Sequence, residues 1–257
     1  MNSLLNNLKL YILSFLVLVI LISCEESTEE SSTNIQERGL ITKSIEHDGI
    51  TRTYIIYIPN SYDESIEHPL MFNFHGFGGR AADFVYAADM RSQAERDKFI
   101  IVYPQGSLLG GFPHWNSSGP SPDNKSSADD IGFVEQLITK ISMDYSVNSD
   151  RIYAAGFSNG GFFSYYLACN SDKFAAIGSV AGGIFIGELT YCSPPNPISV
   201  LTINGTLDDT HPYDDTEGIY HSVNEINSFW INHNMTDLQP IIEQVENINS
   251  SDGSYVE

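Results

Sequence analysis

Five residues, Gly156-Phe157-Ser158-Asn159-Gly160, constrain what this chain can fold into more than any others, because of what flanks them. Arg151-Ile152-Tyr153-Ala154-Ala155 ahead of them is a short apolar stretch suited to a buried strand. Gly161-Phe162-Phe163-Ser164-Tyr165-Tyr166-Leu167-Ala168 behind them reads as a helix. A strand that passes straight into a helix needs a sharp, strained turn. Ser158 stands at its apex, and glycines two positions away on either side let neighbouring backbone pass without meeting a side chain.

From about Leu40 the remaining pattern is that of one alternating α/β domain. Thr51 to Pro59 is rich in Tyr and Ile and predicts an early strand. Leu70-Met71-Phe72-Asn73-Phe74 and Phe99-Ile100-Ile101-Val102-Tyr103 are nearly continuous apolar runs, as expected for strands buried on both faces. Ala81 to Lys98 between them carries a helix, and Leu108 to Asp129 reads as loop, dense in Gly, Pro, Ser and Asn. Ser127-Ala128-Asp129-Asp130 matches a capping box with Asp130 at the third helical position. The helix it opens places Ile131, Val134, Ile138, Ile141 and Tyr145 on one face. Two further strands are predicted over Ala175 to Ala181 and Ile198 to Asn204, and a helix over His221 to His233.

The N-terminus reads differently. Lys9 and the apolar run from Tyr11 to Ile22, too short for a comfortable membrane span, make residues 1–24 a targeting segment. Leu21-Ile22-Ser23-Cys24 resembles the lipobox of bacterial lipoproteins, in which the cysteine is acylated and becomes the new N-terminus. Residues 25–39 follow as an acidic, flexible tether without core-forming residues. Their opening acidic run resembles the surface-export signal of some Gram-negative lipoproteins. The expected location is therefore extracellular, lipid-anchored to a bacterial outer membrane, with residues 40–257 as the folded domain. With Cys24 lipidated, Cys169 and Cys192 remain, and in an exported protein they are expected to pair. A formal charge of −21, from 33 acidic and 12 basic residues, repels phosphate backbones and argues against nucleic-acid partners.

Serine is a poor nucleophile unless a base takes its proton and an acid orients that base. Asn204-Gly205-Thr206-Leu207-Asp208-Asp209-Thr210-His211-Pro212-Tyr213 lies directly after a predicted buried strand, where a carboxylate reaches the end of the sheet. Asp208 is the preferred acid and Asp209 the second choice. His75-Gly76-Phe77-Gly78-Gly79 follows another strand, and its backbone N–H groups, with that of Asn159, are placed to meet a developing oxyanion. His75 is expected to support this loop rather than act as the base.

His75–Gly79, Trp115-Asn116, Asp129-Asp130-Ile131-Gly132-Phe133, Arg151-Ile152-Tyr153, Gly156–Gly161 and Gly205–Tyr213, taken together, resemble the secreted polyhydroxybutyrate-depolymerase-like and feruloyl-esterase-like serine esterases. The resemblance implies an α/β-hydrolase fold, with a mostly parallel central sheet flanked by helices. It implies Ser158 as nucleophile, Asp208 as acid, Phe77 and Asn159 as oxyanion donors, Trp115 beside the substrate and a pairing of Cys169 with Cys192. Neither a metal nor an organic cofactor is required, and a monomer is expected.

One departure from the family pattern stands out. Its histidine, carried in a Gly-His-x-Trp-Pro-like stretch after a further strand, has no counterpart before Glu257. His211, His221 and His233 are poor substitutes. The chain is therefore expected to be a C-terminally incomplete esterase, lacking the last strand and histidine loop and nearly inactive as it stands. The favoured substrates are feruloyl or acetyl esters of polysaccharides. A polyhydroxyalkanoate depolymerase is the alternative within the same chemistry, and a non-catalytic, glycan-binding surface lipoprotein the alternative outside it.

Overall fold

Ile100, Ile101, Val102 and Tyr103 are all buried, and that burial on both faces marks the middle of a sheet. In the computed structural model the described residues are 37–118, 126–214, 217–237, 239–249, 251, 253 and 255–256. The targeting segment, Cys24 and nearly all of the tether lie outside them.

In chain order the first half contains β1 (Gly39–His47), β2 (Ile50–Ile58), β3 (His68–Phe74), α1 (Ala81–Ala87), α2 (Arg91–Asp97) and β4 (Ile100–Pro104). Then come β5 (Ser107–Leu109), β6 (Phe112–His114), α3 (Asp130–Asp144), β7 (Val147–Phe157), α4 (Asn159–Asn170), β8 (Ala176–Val180), β9 (Ser199–Ile203) and α5 (Val223–His233). Seven strands form one sheet in the order β1-β2-β4-β3-β7-β8-β9. β1 and β2 run antiparallel to their neighbours, and β4, β3, β7, β8 and β9 are parallel. The expected α/β class and mostly parallel sheet are what the structure has.

Side-chain alternation splits the core into two layers. Ile56, Leu70, Phe72, Phe74, Ile152, Ala154 and Ile177 meet Phe133 and Leu137 of α3, Phe163 and Leu167 of α4, and Ile226 and Trp230 of α5. On the opposite face Tyr57, Ile101 and Tyr103 meet Ala81, Val85 and Ala94 of α1 and α2. These two short helices stop short of the far strands. There Phe157, Val180, Leu201 and Ile203 remain 48, 37, 61 and 50% exposed.

Four local expectations need correction. The helix expected from Ala81 to Lys98 is two helices, interrupted at Ala88-Asp89-Met90; the Asp89 carboxylate accepts from the Arg91 N–H at 3.0 Å, a local turn that competes with helix. β1 lies ahead of the first strand read from the sequence. Its residues alternate between exposed and half-buried, so it lacks the apolar signal of an inner strand. The loop expected from Leu108 contains the β5–β6 hairpin, turned by Gly110 and Gly111 at positive φ. The helix after it is capped by Asp129, whose carboxylate accepts from the Gly132 N–H at 2.9 Å, and not by Ser127. Asp130 is thus the first residue of α3 and free for a different task.

Candidate active site

The junction of β7 and α4 is built as the sequence requires. Ser158, between the two, has φ 53° and ψ −123°, a left-handed backbone that a non-glycine residue adopts only under tertiary constraint. Its N–H donates to Val180 O at 2.8 Å, and its carbonyl accepts from Gly161 and Phe162 at 2.7 and 3.0 Å. A methyl group on Gly156 would lie 2.2 Å from Gly160 C and O, and one on Gly160 would lie 2.2 Å from Phe74 O. The two glycines of the motif are therefore in backbone contact, and the tightness of the turn excludes larger residues.

The loop after β3 sits against this turn. A methyl group on Gly76 would lie 3.3 Å from Ser158 Cβ. Gly78 N–H donates to Pro113 O at 2.7 Å and Gly79 N–H to Gly76 O at 3.0 Å; Phe77 N–H, just ahead of them, has no acceptor among the described residues. Asn159 is the first residue of α4, a position whose N–H has no intrahelical partner. Two backbone donors are thus left available on the two segments that meet at Ser158.

His75 fixes this loop. Its Nε2 faces the Gly106 N–H at 3.0 Å and the Gln105 amide nitrogen at 3.1 Å, so it is the accepting nitrogen. Nδ1 then carries the proton and donates to Gly76 O at 2.7 Å. Burial is the largest influence on the ring and lowers its pKa below 6.5, which keeps it neutral.

Trp115 is 1% exposed and packs between Phe74 and Phe163, parallel to the latter with ring centroids 5.1 Å apart. Its indole N–H donates to His75 O at 3.0 Å. Trp115 N–H donates to Asn159 Oδ1 at 2.8 Å, and Asn159 Nδ2 returns the bond to Trp115 O at 3.0 Å. The structure thus places Trp115 inside, bracing the turn, rather than on the surface of a cleft. Its indole reads as packing because the β5–β6 hairpin carries it under the His75 loop.

Next along the chain, Asn116 N–H donates to Asp130 Oδ2 at 2.8 Å. Asp130 Oδ1 accepts from Arg52 Nη2 at 2.7 Å, in an ion pair whose side chains are 1 and 4% exposed. The Arg52 guanidinium lies 4.0 Å over the Phe133 ring. Desolvation raises the Asp130 pKa, opposed by the Arg52 charge and the Asn116 N–H. Arg52 and Gln105 were not singled out in the sequence. The available signals were a charge within an otherwise Tyr- and Ile-rich strand and a polar side chain closing an apolar one.

Asp208 lies just after β9, half-buried. Its Oδ1 accepts from His211 N–H at 3.0 Å and Thr210 N–H at 2.9 Å, and these bonds, that of His211 first, lower its pKa. Asp209 is exposed. The His211 Nδ1 donates to Ala181 O at 2.9 Å, and its ring lies 4.8 Å from that of Phe162. No histidine hydrogen-bonds Ser158 Oγ among the described residues. His221 sits at the start of α5 near Glu225, at 3.4 Å, and His233 reaches Asn196 O at 3.1 Å. Cys169, near the end of α4, is bonded to Cys192, as expected.

A seven-stranded, mostly parallel sheet with a strained serine between strand and helix is the architecture of the α/β-hydrolase superfamily. More narrowly, the chain belongs to the phospholipase/carboxylesterase family, whose model matches residues 62–247. It is 31% identical over 173 residues to a probable feruloyl esterase C of Aspergillus terreus, across 63% of this chain and 57% of that protein. The feruloyl esterase C of Emericella nidulans is 32% identical over the same shares. A bifunctional acetylxylan esterase/xylanase of Neocallimastix patriciarum is 26% identical, over 66% of this chain and 23% of that protein. This chain thus spans little more than half the length of the feruloyl esterases it matches. Among solved structures, a thermostable esterase superposes with a TM-score of 0.58 at 16% identity, over 76% of this chain and 52% of that one. A ferulic acid esterase from Anaeromyces mucronatus gives 0.52 at 14% identity, over 83 and 86%. At these identities the structural likeness bears on the fold.

Proposed function

We propose that this protein cleaves feruloyl or acetyl esters of polysaccharides through an acyl-enzyme formed on Ser158. The observation that carries the reading is the positive φ of Ser158 at a strand-to-helix turn pressed against Gly76. In this mechanism Ser158 Oγ attacks the ester carbonyl carbon, and the N–H groups of Phe77 and Asn159 receive the developing oxyanion. The mechanism also calls for a histidine base, not in place on Ser158 Oγ among the described residues, to take the serine proton and pass it to the departing alcohol while Asp208 orients that base. Water then attacks the acyl carbonyl and releases the acid. The feruloyl and acetylxylan esterases that the chain is similar to support the acyl groups named.

We place the protein at the cell surface, held by lipid on Cys24 through the acidic tether. The Leu21–Cys24 sequence supports this location, and the Cys169–Cys192 bond is in keeping with an oxidising compartment.

A fluorophosphonate probe, followed by peptide mapping, tests the nucleophile. Labelling confined to Ser158 and lost in Ser158→Ala is the expected result; with no histidine on Ser158 Oγ among the described residues, methyl ferulate turnover should stay close to background. The lack of a histidine on Ser158 Oγ among the described residues favours a second reading, glycan binding without catalysis. Glycan binding with neither labelling nor turnover would select it.

A further inference from the structure

Behind the first turn of α4 lies a cavity of about 410 Å³ that the ester chemistry does not use. The Cys169–Cys192 disulfide, Tyr165, Tyr166, Glu188 and Tyr191 are among the residues that line it. It also meets Phe162, one helical turn beyond Ser158. At 1.5 Å per residue, Tyr165 and Tyr166 stand about 10–12 Å along the helix from the nucleophile. That distance is beyond the reach of the ester group and within reach of neighbouring units of a polymer.

The lining is aromatic and polar at once. The Tyr165 hydroxyl is tied to Thr202 Oγ1 at 2.7 Å, which fixes its ring. Tyr191 is 79% exposed, an uncovered ring at the edge of the cavity. The Glu188 carboxylate accepts no hydrogen bond among the described residues, although its charge reaches the Tyr166 hydroxyl, whose pKa burial and Glu188 together raise. Asn170 spends its Nδ2 on Tyr166 O at 2.8 Å, leaving Oδ1 to accept, and Ser117 adds a hydroxyl able to give or take.

We propose that this cavity is a subsite for a neutral sugar unit flanking the cleaved ester, with the Tyr191 ring as its platform and Glu188 as the acceptor of its hydroxyls. The inference rests on the polysaccharide-ester reading above and locates where the sugar chain is held. Ring faces suit the apolar C–H side of a sugar, and the mix of hydroxyl, carboxamide and carboxylate both gives and takes hydrogen bonds, as a polyol does. A simple cation would use only the acceptors. A uronate would bring its charge against Glu188 and against a chain of formal charge −21.

Isothermal titration calorimetry with xylotetraose, which carries no ester, tests the subsite without calling on Ser158. Saturable binding is expected, weakened roughly tenfold by Tyr191→Ala and by Glu188→Gln, a loss well within what one well-placed contact contributes. Tetragalacturonate should bind more weakly than xylotetraose, and both variants should melt as the wild type does. Absent binding by the wild-type chain, equal binding by the variants, or a preference for choline overturns the subsite. Xylotetraose binding without fluorophosphonate labelling of Ser158 would instead overturn the proposed chemistry and leave the subsite standing.

Discussion

Trp115 and Asn159 hold each other head to tail, each peptide or amide N–H answering the other's oxygen at 2.8 and 3.0 Å. The pair joins a loop to the residue after Ser158 across 44 positions of sequence. Asn159→Ala would leave the Trp115 N–H and carbonyl without partners beneath the surface. Chemical unfolding should register a loss of about 1–3 kcal/mol, the usual penalty for an unsatisfied buried group. Fluorophosphonate labelling of Ser158 should slow in the same variant, because the Asn159 N–H loses its fixed direction.

Gly160 admits no side chain. The methyl of Gly160→Ala would meet Phe74 O at 2.2 Å, a backbone atom in the middle of the sheet. The expected cost exceeds about 4 kcal/mol, enough to remove most of the stability of a typical domain. Gly49→Ala is the control: its φ is 72° with no atom within 4 Å of the added carbon. Its cost should stay near 1 kcal/mol, from backbone strain alone. Thermal melting of both proteins gives the comparison, and a near-wild-type Gly160→Ala would mean that the turn is looser than described.

The Arg52–Asp130 pair should behave as a buried ion pair. Arg52→Met strands the Asp130 carboxylate, at a cost of about 3–5 kcal/mol, whereas joint replacement of both by apolar residues should recover much of it. The recovery has a limit that identifies the second duty of Asp130. Its Oδ2 also accepts from Asn116, so the double variant should remain slow in Ser158 labelling even where its melting temperature returns.

His75 makes stability depend on pH. Its folded pKa lies below the unfolded value of about 6.5, so the fold favours the neutral ring. The contribution is present in full above about pH 6.5 and is lost as pH falls below it, when protonation would set a second N–H against those of Gly106 and Gln105. Between pH 7.5 and 5.5 the wild type should therefore lose more melting temperature than His75→Asn, a variant that keeps every other histidine. Parallel losses in the two proteins would falsify the assignment.

The strands of the sheet centre were legible because burial on both faces writes itself as a continuous apolar run, as in Leu70 to Phe74. The Ser158 turn was legible because its steric demands select two glycines. The β5–β6 hairpin was not: three-residue strands leave no periodicity, and Gly110-Gly111 reads equally as loop. Asp130 was misread as a helix-capping partner because two adjacent aspartates satisfy one local pattern, and only the long-range approach of Arg52 from β2 tells them apart. Trp115 suffered the same ambiguity, since an indole in a polar loop has the same sequence signature whether it faces a ligand or the core.

The hydrogen bonds at the rim of the sheet carry one more consequence. Ser158 N–H is bound to Val180 O, and Ala181 N–H is bound to Ile203 O, each at 2.8 Å. The serine turn and the Asp208 loop therefore leave the sheet from strands two places apart. Two strand spacings amount to about 10 Å, too wide for a hydroxyl and a carboxylate to exchange a proton directly. The rim behaves as a caliper whose jaws are set by backbone geometry, with an opening that one aromatic ring, gripped at both edges, would close.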